Sequence, residues 1–278
     1  AKKKLKESIE DYEAKGFTGT ADAKAVLTNT QATLTDVEQA QAALDAAFVE
    51  WGSTQASVEK PIDLTAKIIN YDFANGDATT GWSGTAFGRG GTVSDGAEHY
   101  NKTYDTYQKL TGLAAGIYAV GVKGYYRAGD HGPNAQHWTA NDEESRLAKF
   151  YAQASEDYFE TSIINVLNGA QTESQGVGDV EVTYQDADGN DVTVYAPNTM
   201  AAGDYYIHTL GQYANKLYAA VDEAGELTIG VKKTSGIGND WSFFDDFSLT
   251  YYGGAADAWK LFLEDGWTYE EMELDEDE

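Results

Sequence analysis

Two adjacent acids, Asp245 and Asp246, lie in the most aromatic stretch of the chain, NDWSFFDDFSLTYYG from Asn239 to Gly253. Six of its fifteen residues are Trp, Phe or Tyr, side chains that suit the pleated, half-buried surface of a strand. Period-2 alternation puts Phe243, Phe247, Leu249 and Tyr251 on a core face and Phe244, Asp246, Ser248, Thr250 and Tyr252 on the other. A half-buried carboxylate at Asp246 needs a cation or several donors to offset its desolvation, and a metal is one candidate. Adjacent strand residues point to opposite faces, so Asp245 and Asp246 are not expected to flank a cleft as the paired acids of a glycosidase do. No nucleophile elbow, phosphate loop or HExxH pattern occurs. The expectation is a protein that is not an enzyme.

Other stretches carry chemistry of a different kind. In NYDFANGDATTGW, Asn70, Asp72, Asn75, Gly76 and Asp77 crowd a turn between two core anchors, Phe73 and Trp82. Such a cluster makes Asx turns that bond their own backbone, or half of a calcium site, because hard cations take clustered carboxylate and carbonyl oxygens. Along Ile117 to Arg127, Tyr118, Val120, Val122 and Tyr126 alternate inward, while Lys123, Tyr125 and Arg127 share the outer face. A ring beside two cations offers a sugar a flat surface for its C–H face and donors for its hydroxyls; the alternative is a Tyr covered by a neighbouring loop. The loop from Gly129 to Ser145 holds Trp138 among Asp130, His131, Asn134, Gln136 and His137. An exposed Trp on such a loop marks ligand contact, with His137 beside it, unless the loop folds back over the ring. His131 and His137 lack the spacing of a known metal site. Asp186, Asp188 and Asn190 mimic a calcium loop, but Asp191 and Pro197 stand where Gly and Glu are needed, so a hairpin turn at Asp188-Gly189 is expected.

These residues need elements to hold them. Residues 1–57 read as three helices: Leu5, Ile9 and Tyr12 share a face, Gly16 stops the first, residues 21–30 form a second, and Thr35 to Glu38 is a capping-box pattern ahead of Val37, Leu44, Phe48 and Trp51. Gly52 to Pro61 is a polar linker. Strands then run from Ile62 to Gly253, interrupted by a short helix after Ala201, and a helical segment with Trp259, Leu261 and Phe262 leads into seven acids among the last nine residues.

The ending W..FDDF.LTYYG resembles the last strand of a galactose-binding-like, jelly-roll sandwich found in secreted glycan-degrading and surface proteins of gut anaerobes. NYDFANGDATTGW, Tyr100 to Gly129, YAPNTMAAGDYY and ELTIGVKK agree with that family in order. The resemblance implies a mainly β fold, a jelly-roll β-sandwich with an N-terminal three-helix bundle: a helical spacer at 1–57, the sandwich at 62–253 and a helical, acidic tail or linker at 254–278. It further implies a structural calcium between the first turn and the last strand, assigning Asn70, Asp72, Asp77 and Asp246 as ligands, although Ala74 stands where relatives carry Glu. The expected function is a non-catalytic carbohydrate-binding module that attaches a larger secreted or cell-surface, multimodular protein to a polysaccharide or oligosaccharide, starch-like α-glucan or plant cell-wall glycan. Its expected sugar contacts are Trp138, Tyr125, Arg127, Lys123 and His137. The alternative is a spacer or adhesin module with no sugar site.

Composition bounds the partner. A net charge of −27 argues against nucleic acid and anionic membranes. Nineteen Tyr and 29 Gly with three Pro suit a turn-rich β protein that meets a neutral ligand. With no Cys, disulfides and thiolate chemistry are excluded. No apolar run approaches the length of a membrane span.

Overall fold

The computed structural model describes residues 1–74, 77–89 and 96–264; Asn75, Gly76 and the acid-rich end lie outside them. Helices α1 (Lys2–Ala14), α2 (Ala21–Thr28) and α3 (Leu34–Gln55) open the chain. They bury Leu5, Ile9, Phe17, Val37, Leu44 and Phe48 in a core of their own. The capping box sits two residues earlier than expected. Thr33 is the N-cap, its hydroxyl accepting from the Asp36 amide at 3.2 Å while the Asp36 carboxylate accepts from the Thr33 amide at 2.8 Å. Because Thr33 keeps an extended backbone, Leu34 opens the helix and Thr35 falls inside its first turn. Helix α3 also runs past Gly52, so the connection shortens to residues 56–61, and Ala56 and Val58 pack on the sandwich.

Among the described residues the strands are β1 (Ile62–Asp63), β2 (Ser83–Gly84), β3 (Ala97–Tyr100), β4 (Tyr104–Leu110), β5 (Gly116–Arg127), β6 (Lys149–Ala154), β7 (Asp157–Ser162), β8 (Asp179–Gln185), β9 (Asp191–Pro197), β10 (Ala214–Val221), β11 (Leu227–Lys233) and β12 (Trp241–Tyr251). One antiparallel sheet has the order β1–β12–β5–β10, with β3 beside the first half of β12; the other has the order β2–β4–β11–β6–β7. The chain changes sheets at every step from β1 to β6 and again at β10–β11 and β11–β12, which makes the fold a jelly-roll β-sandwich. Its core is the alternation expected of β5, with Tyr118, Val120 and Val122 facing the same interior as Phe150 of β6 and Leu227, Ile229 and Val231 of β11.

The outer face of the first sheet is itself partly covered. Helices α4 (His131–Ala140) and α5 (Met200–His208) and the β8–β9 hairpin lie over one end, sealing a second core around Tyr125, Trp241, Phe243 and Tyr206. At the other end α6 (Ala256–Glu264) packs Ala258 and Phe262 against Ile117, Ala119 and Tyr218. The segment after Gly254 is therefore cover for the sheet as far as Glu264, where a tail or linker was expected.

Strand β12 breaks its own alternation. Asp245 pairs with Lys123 and Ser248 with Gly121, so Asp246 and Phe247 together oppose Val122. This is a β-bulge, with Asp246 in the left-handed region at φ 45°. The extra residue inverts the expected faces upstream of it. Phe244, not Phe243, joins Phe247, Leu249 and Tyr251 in the sandwich core, and Phe243 turns to the helical cover.

Candidate functional site

Between the two covers a strip of the first sheet stays open. It is a groove of about 510 Å³ floored by the outward positions of three strands, with Gly121 and Lys123 from β5, Ser248 and Thr250 from β12, and Ala214 from β10. Gly121 keeps the floor low: a Cβ there would meet the Ser248 hydroxyl oxygen at 2.4 Å and turn that side chain aside. Half-buried Tyr71 and Tyr252 supply aromatic walls, and Lys216 stands exposed on the β10 side. Asn215 lines the groove but is spent on structure, donating to the Val122, Gly124 and Tyr213 carbonyls and accepting from the Ile164 amide.

Charge concentrates at the end of this groove nearest α5. The Lys123 ammonium meets the Asp246 carboxylate at 2.9 Å, both side chains about a third exposed. His208 of α5 reaches over the bulge, its Nε2 3.2 Å from Asp245 and its Nδ1 3.6 Å from Asp246. Both acids thus lie on the outer side, and the opposite-faces argument drawn from simple alternation fails at the bulge. Asp245 is wholly enclosed. Burial pushes its carboxyl up to about 7, with the His208 side chain and the Asp246 amide pulling the other way.

The other expected site residues fall elsewhere. Tyr125 is on the outer face as alternation requires, but it is fully buried under the cover against Tyr213, Trp241 and Phe243, so its ring is closed to a ligand. Arg127 is 5% exposed and acts as a clamp, donating to the Gly129 and Asn239 carbonyls and to Asn198, with Trp241 beneath it. Of the β5 trio only Lys123 is left at the groove. Trp138 sits on helix α4 rather than on a loop, half-buried and edge-on to Tyr184. Gly132 and Pro133 open this helix instead of breaking it, because the first turn needs no intrahelical N–H. His137 pairs with Asp142 at 2.8 Å, while burial and Arg127 push His131 down to about 4. Because Trp138 packs against the hairpin, Trp138→Ala should lower the melting temperature by several degrees, consistent with about 1–2 kcal/mol of lost burial. An unchanged thermal melt would show that the ring contributes no packing.

Among the described residues, the calcium ligands that the resemblance implies are engaged with protein partners. Asp77 takes the Thr79 and Thr80 amides, Asp72 takes the Ala74 amide, and Asn70 donates to the Asp77 carbonyl. This is Asx-turn chemistry, and Asp246 is bound to Lys123 instead. Among the described residues, the groups of three His or acid ligand atoms within 4.8 Å of one another are His137–Asp142–Glu144 and Asp204–His208–Asp245.

Sequence reasoning put Ser248, Thr250 and Tyr252 on the correct face without assigning them a role. It missed Tyr71, Asp204 and His208; the last two carry a local signal, because residues four apart share one helix face.

No family model matches the sequence, and no curated protein does. Among solved structures the chain is similar to the TmCBM61 module in complex with β-1,4-galactotriose, at 14% identity over 66% of this chain and 97% of that one, TM-score 0.33. It is also similar to the CBM22-1 xylan-binding domain of Paenibacillus barcinonensis Xyn10C, at 11% identity over 66% and 94%, TM-score 0.32. A third is the K3 adhesin domain of Lys-gingipain from Porphyromonas gingivalis, at 9% identity over 68% and 99%, TM-score 0.31. Likenesses at these identities assign no family.

Proposed function

We propose that the chain is a non-catalytic carbohydrate-binding module that holds a neutral glycan in the open groove of the first sheet, within a larger secreted or cell-surface protein. The observation that carries this reading is the groove. Its size is within the range of small-ligand sites, its floor carries the small residues Gly121, Ala214, Ser248 and Thr250, and its walls are the rings of Tyr71 and Tyr252. A sugar ring rests its C–H face on such rings and spends its hydroxyls on donors and acceptors, which Lys123 and Asp246 offer side by side at 2.9 Å. The charge of −27 suits a neutral ligand rather than phosphates. Starch-like α-glucan and plant cell-wall glycans both present the required C–H faces. No helix among the described residues is long and apolar enough to cross a membrane.

Affinity electrophoresis against starch, xylan, galactan and β-glucan, followed by calorimetry on the glycan bound, tests this reading. Tyr252→Leu keeps an apolar contact with Tyr218, 5.9 Å away ring to ring, but removes the stacking surface. It should weaken binding about tenfold, or about 1.4 kcal/mol, whereas Trp138→Ala should leave affinity unchanged. Failure of the wild-type chain to bind any of the four would leave the spacer or adhesin reading.

A further inference from the structure

Asp204 and His208 stand one turn apart on α5, so both lie on the same helix face. That face lies over the β12 bulge, where Asp245 is enclosed. His208 Nε2 is 3.2 Å from an Asp245 oxygen and 3.6 Å from an Asp204 oxygen, and the three ligand atoms all lie within 4.8 Å of one another. We propose that Asp204, His208 and Asp245 form a binding site for a divalent transition-metal ion of the zinc class, with the fourth position open to solvent.

Three observations support the assignment. The first is the spacing of the ligand atoms. Zinc holds imidazole nitrogen and carboxylate oxygen at about 2.0–2.1 Å, which puts the corners of a tetrahedron about 3.3 Å apart. The contacts of 3.2 and 3.6 Å from Nε2 match that edge, and the two carboxylate oxygens lie within 4.8 Å of each other. The donor set is the second: one imidazole and two carboxylates suit zinc, whereas calcium takes six to eight oxygens. The last is what surrounds the ligands. A metal-bound His donates its other ring N–H to a carboxylate that fixes its orientation. His208 Nδ1 faces Asp246 at 3.6 Å, and Lys123 holds that same Asp246 oxygen at 2.9 Å.

The bulge is what makes the site. An uninterrupted strand would send Asp245 and Asp246 to opposite faces; the bulge supplies one as ligand and sets the other 3.6 Å from the far ring nitrogen of His208. Asp245 takes the Asp246 amide on one oxygen and turns the other to His208. A bound cation would offset the cost of a carboxylate enclosed there. Access is open, because the Asp204 and His208 side chains are each 37% exposed.

The test uses the full chain, stripped with chelator, dialysed, and titrated with zinc chloride and separately with calcium chloride by calorimetry and thermal melt. The expected result is one zinc per chain at micromolar affinity or tighter, a melting temperature that rises with zinc, and little response to calcium. His208→Gln and Asp204→Asn, both on partly exposed side chains, should each weaken zinc binding about 10- to 100-fold, while His137→Gln in the second acid–His group leaves it unchanged. Absence of saturable zinc binding would overturn the proposal. So would zinc binding that His208→Gln and Asp204→Asn leave unaltered, since the ion would then be held elsewhere. The readout is metal and not glycan, so its failure leaves the reading of the groove as it stands.

Discussion

Asp240→Asn should destabilise the protein by about 3–5 kcal/mol, the range measured when one partner of a buried ion pair is removed. Asp240 stands just ahead of β12 and Lys233 ends β11; each is 1% exposed, and their carboxylate and ammonium are in direct contact. The same carboxylate accepts the Ile237 amide at 3.0 Å, and the ammonium lies about 6 Å from the rings of Tyr104 and Tyr126. Asparagine keeps an acceptor for Ile237 but removes the counter-charge, which leaves Lys233 charged in a low-dielectric pocket or forces it to lose its proton; either costs free energy. In a domain of this size each kcal/mol is worth about 2–4 °C, so the melting temperature should fall by roughly 10 °C. Combining Asp240→Asn with Lys233→Met should recover most of the loss, because an apolar chain of similar length needs no partner. A single variant that melts within about 2 °C of wild type would show that water reaches the pair.

How much of this was legible in the sequence depends on where each determinant lies. The faces of β5 follow from alternation over twelve residues, so Lys123, Tyr125 and Arg127 fall on one side as read. Whether that side is wet does not follow. The cover that buries Tyr125 comes from α4, α5 and the β8–β9 hairpin, segments placed only by tertiary packing. Helix α4 was hidden for a related reason: HGPNAQHWTA has no apolar stripe, and its Gly and Pro ordinarily mark a loop. The β12 bulge left almost no trace, since Phe-Phe-Asp-Asp-Phe contains no Gly to mark the residue at positive φ; Asp tolerates that conformation better than most residues. One inserted residue was then enough to exchange the faces of Phe243 and Phe244 and to gather two acids that alternation separates. The half of the groove built from Ser248, Thr250 and Tyr252 lies downstream of the bulge, where the reading of faces holds.

Acidification should destabilise the fold through His99, and His99→Gln should remove that contribution. His99 is 1% exposed on β3, stacked between Phe87 at 4.8 Å and Tyr104 at 4.0 Å, with Nε2 2.9 Å from the Thr106 hydroxyl. Burial, reinforced by the positive charges of Lys102 and Lys233, pushes its pKa down to about 3. The unfolded imidazole titrates near 6.5. Above that pH both states are neutral and no penalty exists. Below it the unfolded chain takes up a proton that the folded chain refuses, so stability falls by up to about 1.4 kcal/mol per pH unit until the folded pKa is reached. Between pH 7 and pH 5 this amounts to about 2 kcal/mol for His99 alone. His131, down at about 4, acts in the same direction, while Asp245, raised by burial, gains stability as pH falls. The wild-type curve is therefore a sum of opposed slopes, and the difference between wild type and His99→Gln isolates one of them. Glutamine retains an amide donor for Thr106 and does not titrate in this range. Urea melts should show His99→Gln less stable than wild type at pH 7, with the gap narrowing by about 2 kcal/mol at pH 5. A gap that stays constant across that range would mean that His99 takes up its proton in the folded state, and that this end of the core is hydrated.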